Sequence, residues 1–512
     1  MISARLTAFA AAALLLAAGA AAAPSSDETF HPDSWVYAAL RTFELRGWVR
    51  IDQAGPLTRS EVERAVAEIG DAAGGASLTP HQEFLLGRLR AEFSSPADDD
   101  PAAREDRPVW LLRDGKRYLS FDLAAGGSLR KRIERSKGEA DGLCVPSILL
   151  APGGGVTLET EYRIAISPER DVYYRTGKPS PREKSWRGVT SDYERAYIAV
   201  SGSGWRVQAG RDYLWWGPSR QSGLILSDGA GSLDHIAADL TMGRFTLRMV
   251  HAMLDTRLPR RLAGHRLEVR LPRGIRAGLC ETVLYTGRGL DWAYLLPLSS
   301  FYANQYNESD DDNVMWSLDL SVPAAPGLIL SGELLIDDYQ YEGDPPAPDK
   351  LGFTAAADLL VQPFGREIEL HAGYTRLDLY VYTHKDSLRT AYLTGSGDPS
   401  LDTVIGDQLG PDADRWSASL RTPLHPRAVL SLQWARTRRG EGNDMRSWDW
   451  TGDPDPSFPS GTVLRETLLS GSVDIDLGGG SSAGAGGGWR VSSGPDGDVT
   501  DTFAWLSLLW DF

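Results

Sequence analysis

The chain has 512 residues, 42% of them hydrophobic, and a formal net charge of −16. That length supports a large fold, while the acidity argues against general nucleic-acid binding. After the N-terminal stretch no run of about 18 apolar residues occurs, which excludes membrane-spanning helices from the rest of the sequence.

The chain opens MISARLTAFAAAALLLAAGAAAAPSS. Arg5, an Ala/Leu run and small residues up to Ala23 read as a secretory signal peptide over 1–23. A transmembrane anchor is the weaker reading, because the apolar core falls short of the ~20 residues a span needs. No cysteine follows to carry a lipid. Residues 24–95 then carry helical patterns. Ser34 stands before Trp35, Val36, Leu40 and Phe43, with Gly47 as a stop. Thr58 and Glu61 have capping-box spacing ahead of Val62, Val66 and Ile69. Thr79 and Pro80 start a stripe of Phe84, Leu85, Leu89 and Phe93. Short amphipathic helices bury little alone and need a partner surface. The stretch PADDDPAAREDR, 96–107, reads as a linker.

From 108 to 512 the period becomes two. HRLEVRL sets Leu267, Val269 and Leu271 against Arg266, Glu268 and Arg270. RFTLRM sets Phe245, Leu247 and Met249 against Arg244, Thr246 and Arg248, and VMWSLDLSV alternates Trp316, Leu318 and Leu320 with Ser317 and Asp319. About 17 such segments occur, most about 8 to 12 residues long, the length of a tilted strand crossing a bilayer. A soluble sheet with one wet face also alternates. Open sheets rarely exceed about 10 strands, however, and no later helices exist to cover the apolar face. A closed barrel removes the edges and satisfies the backbone inside lipid. Bacterial barrels have even strand numbers, so the expectation is about 18. The fold class is all-β with a small helical part: a transmembrane antiparallel β-barrel whose N-terminal helical bundle plugs or caps the periplasmic end. Ala504, Leu506, Leu508, Trp510 and the terminal Phe512 share one face of the last strand, which reads as a closing strand presented to the barrel assembly machinery. The weaker reading is the edge strand of a periplasmic sandwich.

Longer polar or irregular pieces fall at 127–150, 177–192, 303–313, 340–349, 383–412 and 440–461, and tight turns such as Gly202–Gly204 alternate with them. NESDDDN at 307–313 reads as a solvated acidic loop rather than a calcium site, since EF-hand spacing is absent. GGGSSAGAGGGW at 478–489 reads as a turn entering a small-residue strand, because the lysine of a phosphate loop is missing. Cys144 and Cys280 could pair in an oxidising periplasm or remain free thiols; sequence leaves both open. No metal motif and no cofactor are expected.

The stretch AGRDYLWWGPSRQSGLILSDGAG, 209–231, mixes tryptophans with arginines. Trp205, Val207 and Ala209 alternate with Arg206, Gln208 and Gly210, and Arg211 and Arg220 are expected to face a watery lumen. Aromatic faces pack on sugar C–H patches and guanidinium forks bind carboxylates, so Arg211, Trp215, Trp216 and Arg220 are the candidate polysaccharide contacts. Inward Arg206, Arg248, Arg266 and Arg270 supply supporting charge. The plainer reading makes the tryptophans girdle anchors and pairs the arginines with lumenal carboxylates such as Glu268.

These landmarks resemble those of the Wzi-type capsule assembly proteins of the bacterial outer membrane. The matching residues are Arg211, Trp216, Gly217, Pro218, Gly223, Leu226 and Ser227, then His265, Arg266, Gly278 and Glu281, then Gly406, Leu409 and Gly410. PLTRSEVERAV is similar to that family's helical part. The resemblance implies an 18-stranded barrel with a periplasmic helical bundle and a lectin-like, non-catalytic role in attaching exported acidic polysaccharide. It carries over no sugar contacts, which lie on variable outer loops in such proteins. Outer-membrane lipid is the expected surrounding and a monomer the expected state. Two other readings compete. A diffusion channel for small solutes shares every barrel feature and differs in an open lumen. A barrel enzyme needs a Ser–His pair; Ser227 and His235 are candidates by spacing, in no nucleophile motif.

Overall fold

The computed structural model describes residues 27–93 and 108–512, apart from 115–116, 133–137, 167–188, 220–222, 256–258, 297, 309–310, 340–347, 385–389, 395–402, 445–455 and 496. The expected signal peptide and linker lie outside the described residues.

Three helices come first: α1 (Trp35–Leu45), α2 (Arg59–Ala73) and α3 (Pro80–Phe93). Their starts follow the caps in the sequence. Ser34 accepts from the Val36 N–H, and Thr58 and Glu61 form a reciprocal capping box. The Thr79 hydroxyl accepts from the Gln82 N–H at 3.2 Å. Gly47 ends α1 with φ 77°, a left-handed conformation that favours glycine. The apolar stripes meet in a core of their own, with Leu40, Phe43, Val62, Ile69 and Leu89 fully buried.

The strands close into an antiparallel barrel of 18. They run β1 (Arg117–Arg132), β2 (Gly138–Gly153), β3 (Val156–Ile166), β4 (Val189–Gly202), β5 (Trp205–Asp212) and β6 (Leu233–Met242). Next come β7 (Phe245–Asp255), β8 (Arg260–Arg270), β9 (Arg276–Thr286), β10 (Asn313–Ala325), β11 (Leu328–Asp338) and β12 (Lys350–Val361). The last six are β13 (Ile368–Leu377), β14 (Ala413–His425), β15 (Ala428–Arg439), β16 (Leu464–Gly478), β17 (Ser481–Gly494) and β18 (Gly497–Asp511). β18 pairs with β1, from Phe503 opposite Arg132 to Asp511 opposite Ala124. A short strand, Trp110–Asp114, pairs with the start of β1 below that seam. Closure leaves no unpaired edge in the bilayer.

Alternation sorts the faces as the sequence predicts. Leu318, Leu320, Leu506, Leu508 and Trp510 are exposed on the outer wall, while Arg266, Glu268, Ser317 and Asp319 are buried on the inner one. Among the described residues no helix is long and apolar enough to cross a membrane. At one end the strands join by tight turns, at 153–156, 202–205, 242–245, 325–328, 425–428 and 478–481. The helices sit at this end: α1 packs on β12 and α3 on β14. It is the periplasmic end. The Gly-rich 478–489 segment is a turn and strand, as expected.

Two expectations about loops need correction. Residues 127–150 lie mostly in β1 and β2 instead of a loop. Inward Leu143, Val145 and Leu149 alternate with outward Cys144, Ile148 and Leu150, so both faces of β2 are apolar and the period of two is hidden there. Within 303–313, α4 (Phe301–Glu308) forms and Phe301 is buried against Ala263, Val283 and Tyr294.

Candidate functional site

The described part of the outer loop, 213–219 and 223–232, does not stand out from the rim. It folds into the barrel, where Trp216, Leu224, Ile225 and Leu226 are buried against the inward side chains of Leu262, Cys280, Leu284 and Met315. The described parts of a second loop, 378–384, 390–394 and 403–412, close over it. The Tyr382 hydroxyl donates to the Leu224 carbonyl at 2.6 Å, and the Tyr392 hydroxyl to the Ile225 carbonyl at 2.8 Å. From the periplasmic side, the segment between α1 and α2 reaches up to meet them. Ala54–Gly55 pairs with Trp215–Trp216, and the Gly217 N–H donates to the Gln53 carbonyl at 2.8 Å. Two glycines allow these approaches. A Cβ on Gly55 would lie 2.0 Å from the Trp215 ring, and one on Gly264 of β8 would lie 2.9 Å from the Trp216 ring. In this sector the lumen is filled from both ends.

The inward arginines fix that filling in place. Asp52, between α1 and α2, accepts from Arg270 at 2.9 and 3.1 Å and from Arg276 at 2.7 Å, with Arg248 3.5 Å away. Burial alone would raise the Asp52 carboxyl; the three guanidinium groups outweigh it and hold it below its ordinary range. Arg248 also faces Glu61 of α2 at 3.4 Å and Asp239 at 3.1 Å. Arg266, fully buried, is clamped by Asp319 at 2.5 and 3.0 Å and by Glu268 at 3.2 Å. Arg206 bonds Gln208 and reaches the Asp27 carbonyl at 3.3 Å. Across the barrel the signs reverse. Arg41 meets Asp358 at 2.7 Å, Arg88 pairs with Asp476, Thr42 donates to Glu369 at 2.6 Å, and Thr79 donates to Glu367 at 3.0 Å. Within the bundle, Arg59 is buried between Glu28 and Glu92, whose charges outweigh its burial and raise its pKa, so it stays charged.

The sequence candidates therefore separate. Trp215 and Trp216 are buried in the lumenal plug and take no part in the girdle. Arg206, Arg248, Arg266 and Arg270 face inward and are occupied by carboxylates or backbone, and Glu268 is a partner, as the plainer reading has it. Arg211 corrects the lumenal expectation. Gln208 and Asp212 take the inner face, Gln208 donating to Asp212 at 3.1 Å, so alternation turns Arg211 outward. There it bonds Asp234 at 2.6 and 2.9 Å and approaches Asp192 at 3.4 Å, at the outer end of β5. Arg220 lies outside the described residues.

Other candidates resolve too. Ser227 donates to the Gly406 carbonyl at 2.7 Å, and His235 bonds the Leu233 carbonyl at 2.8 Å; the spacing does not make them a pair. Asp312 of the acidic loop is buried and bonded by Arg288 and by the Tyr294 hydroxyl at 2.7 Å. Cys144 and Cys280 are both free, on β2 and β9. His31, Glu161 and Glu194 bring ligand-type atoms within 4.8 Å of one another. Arg195 bonds Glu161 at 2.7 Å and the Tyr213 hydroxyl donates to Glu194 at 2.8 Å, so the trio already has protein partners. Sequence reasoning passed over the exposed aromatics of the 287–312 loop, Trp292, Tyr302 and Tyr306, whose signal was the run DWAYLLPLSSFYANQY.

The family model for the capsule assembly protein Wzi matches residues 153–502. The chain belongs to the Wzi capsule assembly family. Among solved structures, the Escherichia coli outer-membrane protein Wzi aligns with a TM-score of 0.61 at 12% identity, over 95% of this chain and 99% of that one. That protein is described as involved in group 1 capsule assembly and as a carbohydrate-binding β-barrel. Pseudomonas aeruginosa OprD aligns at 0.46 and 10% identity over 80% and 97% of the two chains, and OccD3 of the same organism at 0.46 and 12% over 80% and 94%. No curated protein sequence matches. Family and barrel together place the chain in the outer membrane.

Proposed function

We propose that the protein binds exported surface polysaccharide at its outer rim and helps assemble the capsule there, as a lectin-like, non-catalytic barrel. The observation that carries this is the family match over 153–502. The filling of the sector behind the 213–232 and 378–412 loops supports it, because a ligand arriving from outside meets loops and rim first there. In this reading Arg211 and Arg220 contact acidic sugar. Trp215, Trp216, Arg206, Arg248, Arg266 and Arg270 support them by fixing the loop between. The last strand, ending at Phe512, is the element the barrel assembly machinery takes up, and the working unit is a monomer. The test compares surface-polysaccharide retention in cells with and without the protein, then with Arg211→Ala and Arg220→Ala together. Loss on deletion and weakened retention in the double variant, with normal barrel assembly, is the expected result. Unchanged retention on deletion removes the reading; unchanged retention in the double variant alone removes the two arginines.

A diffusion channel is the second reading. It is favoured by a cavity of about 660 Å³ between the helices and the wall, lined by Trp35, Phe84, Arg88, Asp122, Asp474 and Asp511. Single-channel recording in planar bilayers separates the two. A steady open conductance supports the channel, and silence supports the sealed barrel.

A further inference from the structure

The outer wall over β12–β16 carries a groove that the polysaccharide reading does not use. The ladder sets Ala357, Ala372, Ala418 and Trp434 side by side on one outward row. The neighbouring row on the periplasmic side is Leu359, Leu370, Leu420 and Leu432. Three alanines in succession lower the wall between leucines and Trp434, and the space they leave is about 540 Å³. A smooth lipid-facing wall needs bulky residues there, so the depression is a slot in the hydrocarbon region.

Toward the outer end the same strands change character. The next outward row is Tyr374, Trp416, Arg436 and Thr467, and the one above it is Arg376, Asp414, Arg438 and Arg465. Tyr374 and Trp416 lie with centroids 4.3 Å apart and planes tilted by 38°, an aromatic pair at the level where girdles form. Arg438 is held by Asp414 at 2.9 and 2.5 Å, and Arg376 by Asp378 at 2.8 Å. Arg436 and Arg465 are exposed on adjacent strands. Four arginines thus gather on this face, two of them bonded to Asp414 and Asp378, on a protein whose formal charge is −16. A guanidinium pair above an acyl-sized slot matches one chemistry: phosphate at the headgroup level and a hydrocarbon chain beneath it. We propose that this face holds a phosphorylated, multiply acylated glycolipid of the outer leaflet, with a phosphate between Arg436 and Arg465 and one acyl chain along Ala357, Ala372 and Ala418.

The full barrel in detergent is titrated with diphosphoryl lipid A, with the same lipid dephosphorylated, and with inorganic phosphate, and retained ligand is counted by native mass spectrometry. Wild type is expected to keep one diphosphoryl lipid A. Arg436→Glu with Arg465→Glu should weaken retention at least tenfold, and Ala372→Phe with Ala418→Phe, which fills the slot and leaves the charge alone, at least fivefold. Arg436→Gln with Arg465→Gln replaces the first pair if it fails to assemble. Dephosphorylated lipid should bind wild type no better than diphosphoryl lipid A binds the charge variant. Equal retention by wild type and variants overturns the proposal, as does equal binding of the dephosphorylated lipid. Displacement by inorganic phosphate at matched concentration also overturns it, reducing the site to an ion patch.

Discussion

Asp52→Asn tests whether charge, more than apolar contact, seats the helical bundle in the barrel. The change keeps the side-chain volume and removes the carboxylate that receives Arg270 and Arg276 and faces Arg248. Removing one partner from a buried ion network costs ~3–5 kcal/mol, because uncompensated charge stays behind. Here Arg248 keeps Asp239 and Arg276 keeps Glu268 at 3.3 Å, which places the expected cost near the low end, about 3 kcal/mol. At ~1.4 kcal/mol per factor of ten, the undocked population rises about a hundredfold. Limited proteolysis reads that population directly when reclosing is fast relative to cleavage. The barrel in detergent is exposed to protease at pH 7, and cleavage within 30–93 is expected about a hundredfold faster than in wild type, with the exposed Asp71→Asn unchanged. The pH dependence has a definite sign. The Asp52 carboxyl is depressed in the fold, so its contribution is full above its ordinary value of 3.8 and is lost as pH falls through the lower folded value. Wild type and variant should therefore converge only in strong acid. Cleavage rates within threefold of each other at pH 7 would refute the electrostatic account of docking.

Glu367, in the periplasmic turn before β13, has its carboxyl pushed up to about 7, chiefly by burial and then by Glu369, against the Thr79 hydroxyl that bonds it. A raised acid stabilises the fold fully below its ordinary 4.5 and loses that contribution as pH rises through about 7; Glu367→Gln should abolish an alkaline loosening of α3 worth up to ~3 kcal/mol, read by proteolysis between pH 5 and 9. Gly55→Ala drives a Cβ into the Trp215 ring, an overpacking of ~1–3 kcal/mol that should appear as shifted tryptophan emission and a lower melting temperature for the plug. Arg59→Met strands Glu28 and Glu92 in the bundle interior, with an expected loss of ~3–5 kcal/mol by thermal unfolding of the N-terminal part. An unchanged melting temperature in either variant counts against the contact concerned.

The barrel was legible because a lipid-facing wall forces every second residue to be apolar. HRLEVRL and VMWSLDLSV obey that rule, and the last strand shows it down to Phe512. Legibility failed where both faces of a strand carry apolar residues, as in 127–150, where inward Leu143, Val145 and Leu149 leave no contrast with outward Ile148 and Leu150. The helix caps at Ser34, Thr58 and Thr79 were readable because capping is local. The roles of Arg248, Arg266 and Arg270 were only half readable. Periodicity put them inside, but their partners Asp52, Glu61 and Asp319 are set by closure and by plug docking, which no short window of sequence contains. Arg211 was misplaced because the alternation begun at Trp205 was not carried two residues further. Gln208 and Asp212, both inward, fix the parity.

The two sets of contacts around the bundle differ in sign, and that difference has a geometric consequence. On the β7–β9 side the plug offers acids, Asp52 and Glu61, to wall arginines. On the β12–β16 side it offers Arg41 and Arg88 to wall acids Asp358 and Asp476. Most of the bundle's hydrophobic core is internal, and its apolar contact with the wall through Leu45, Ile329 and Leu360 is small, which leaves much of the choice of rotation to charge. A rotation that carried Asp52 and Glu61 round to Asp358 and Asp476 would set carboxylate against carboxylate, an arrangement that costs several kcal/mol in a low-dielectric interior. Opposite polarity therefore selects one orientation, and that orientation is the one in which Ala54–Gly55 reaches Trp215–Trp216. Through that contact the periplasmic helices bear on the loop that starts at the outer end of β5. Reversing the plug alone, Arg41→Asp with Asp52→Arg, or the wall alone, Asp358→Arg with Arg270→Asp, should lose docking, and all four changes together should restore it, measured by the same protease assay. If the half-reversals dock as well as wild type, orientation is set by shape and the charge pattern is incidental.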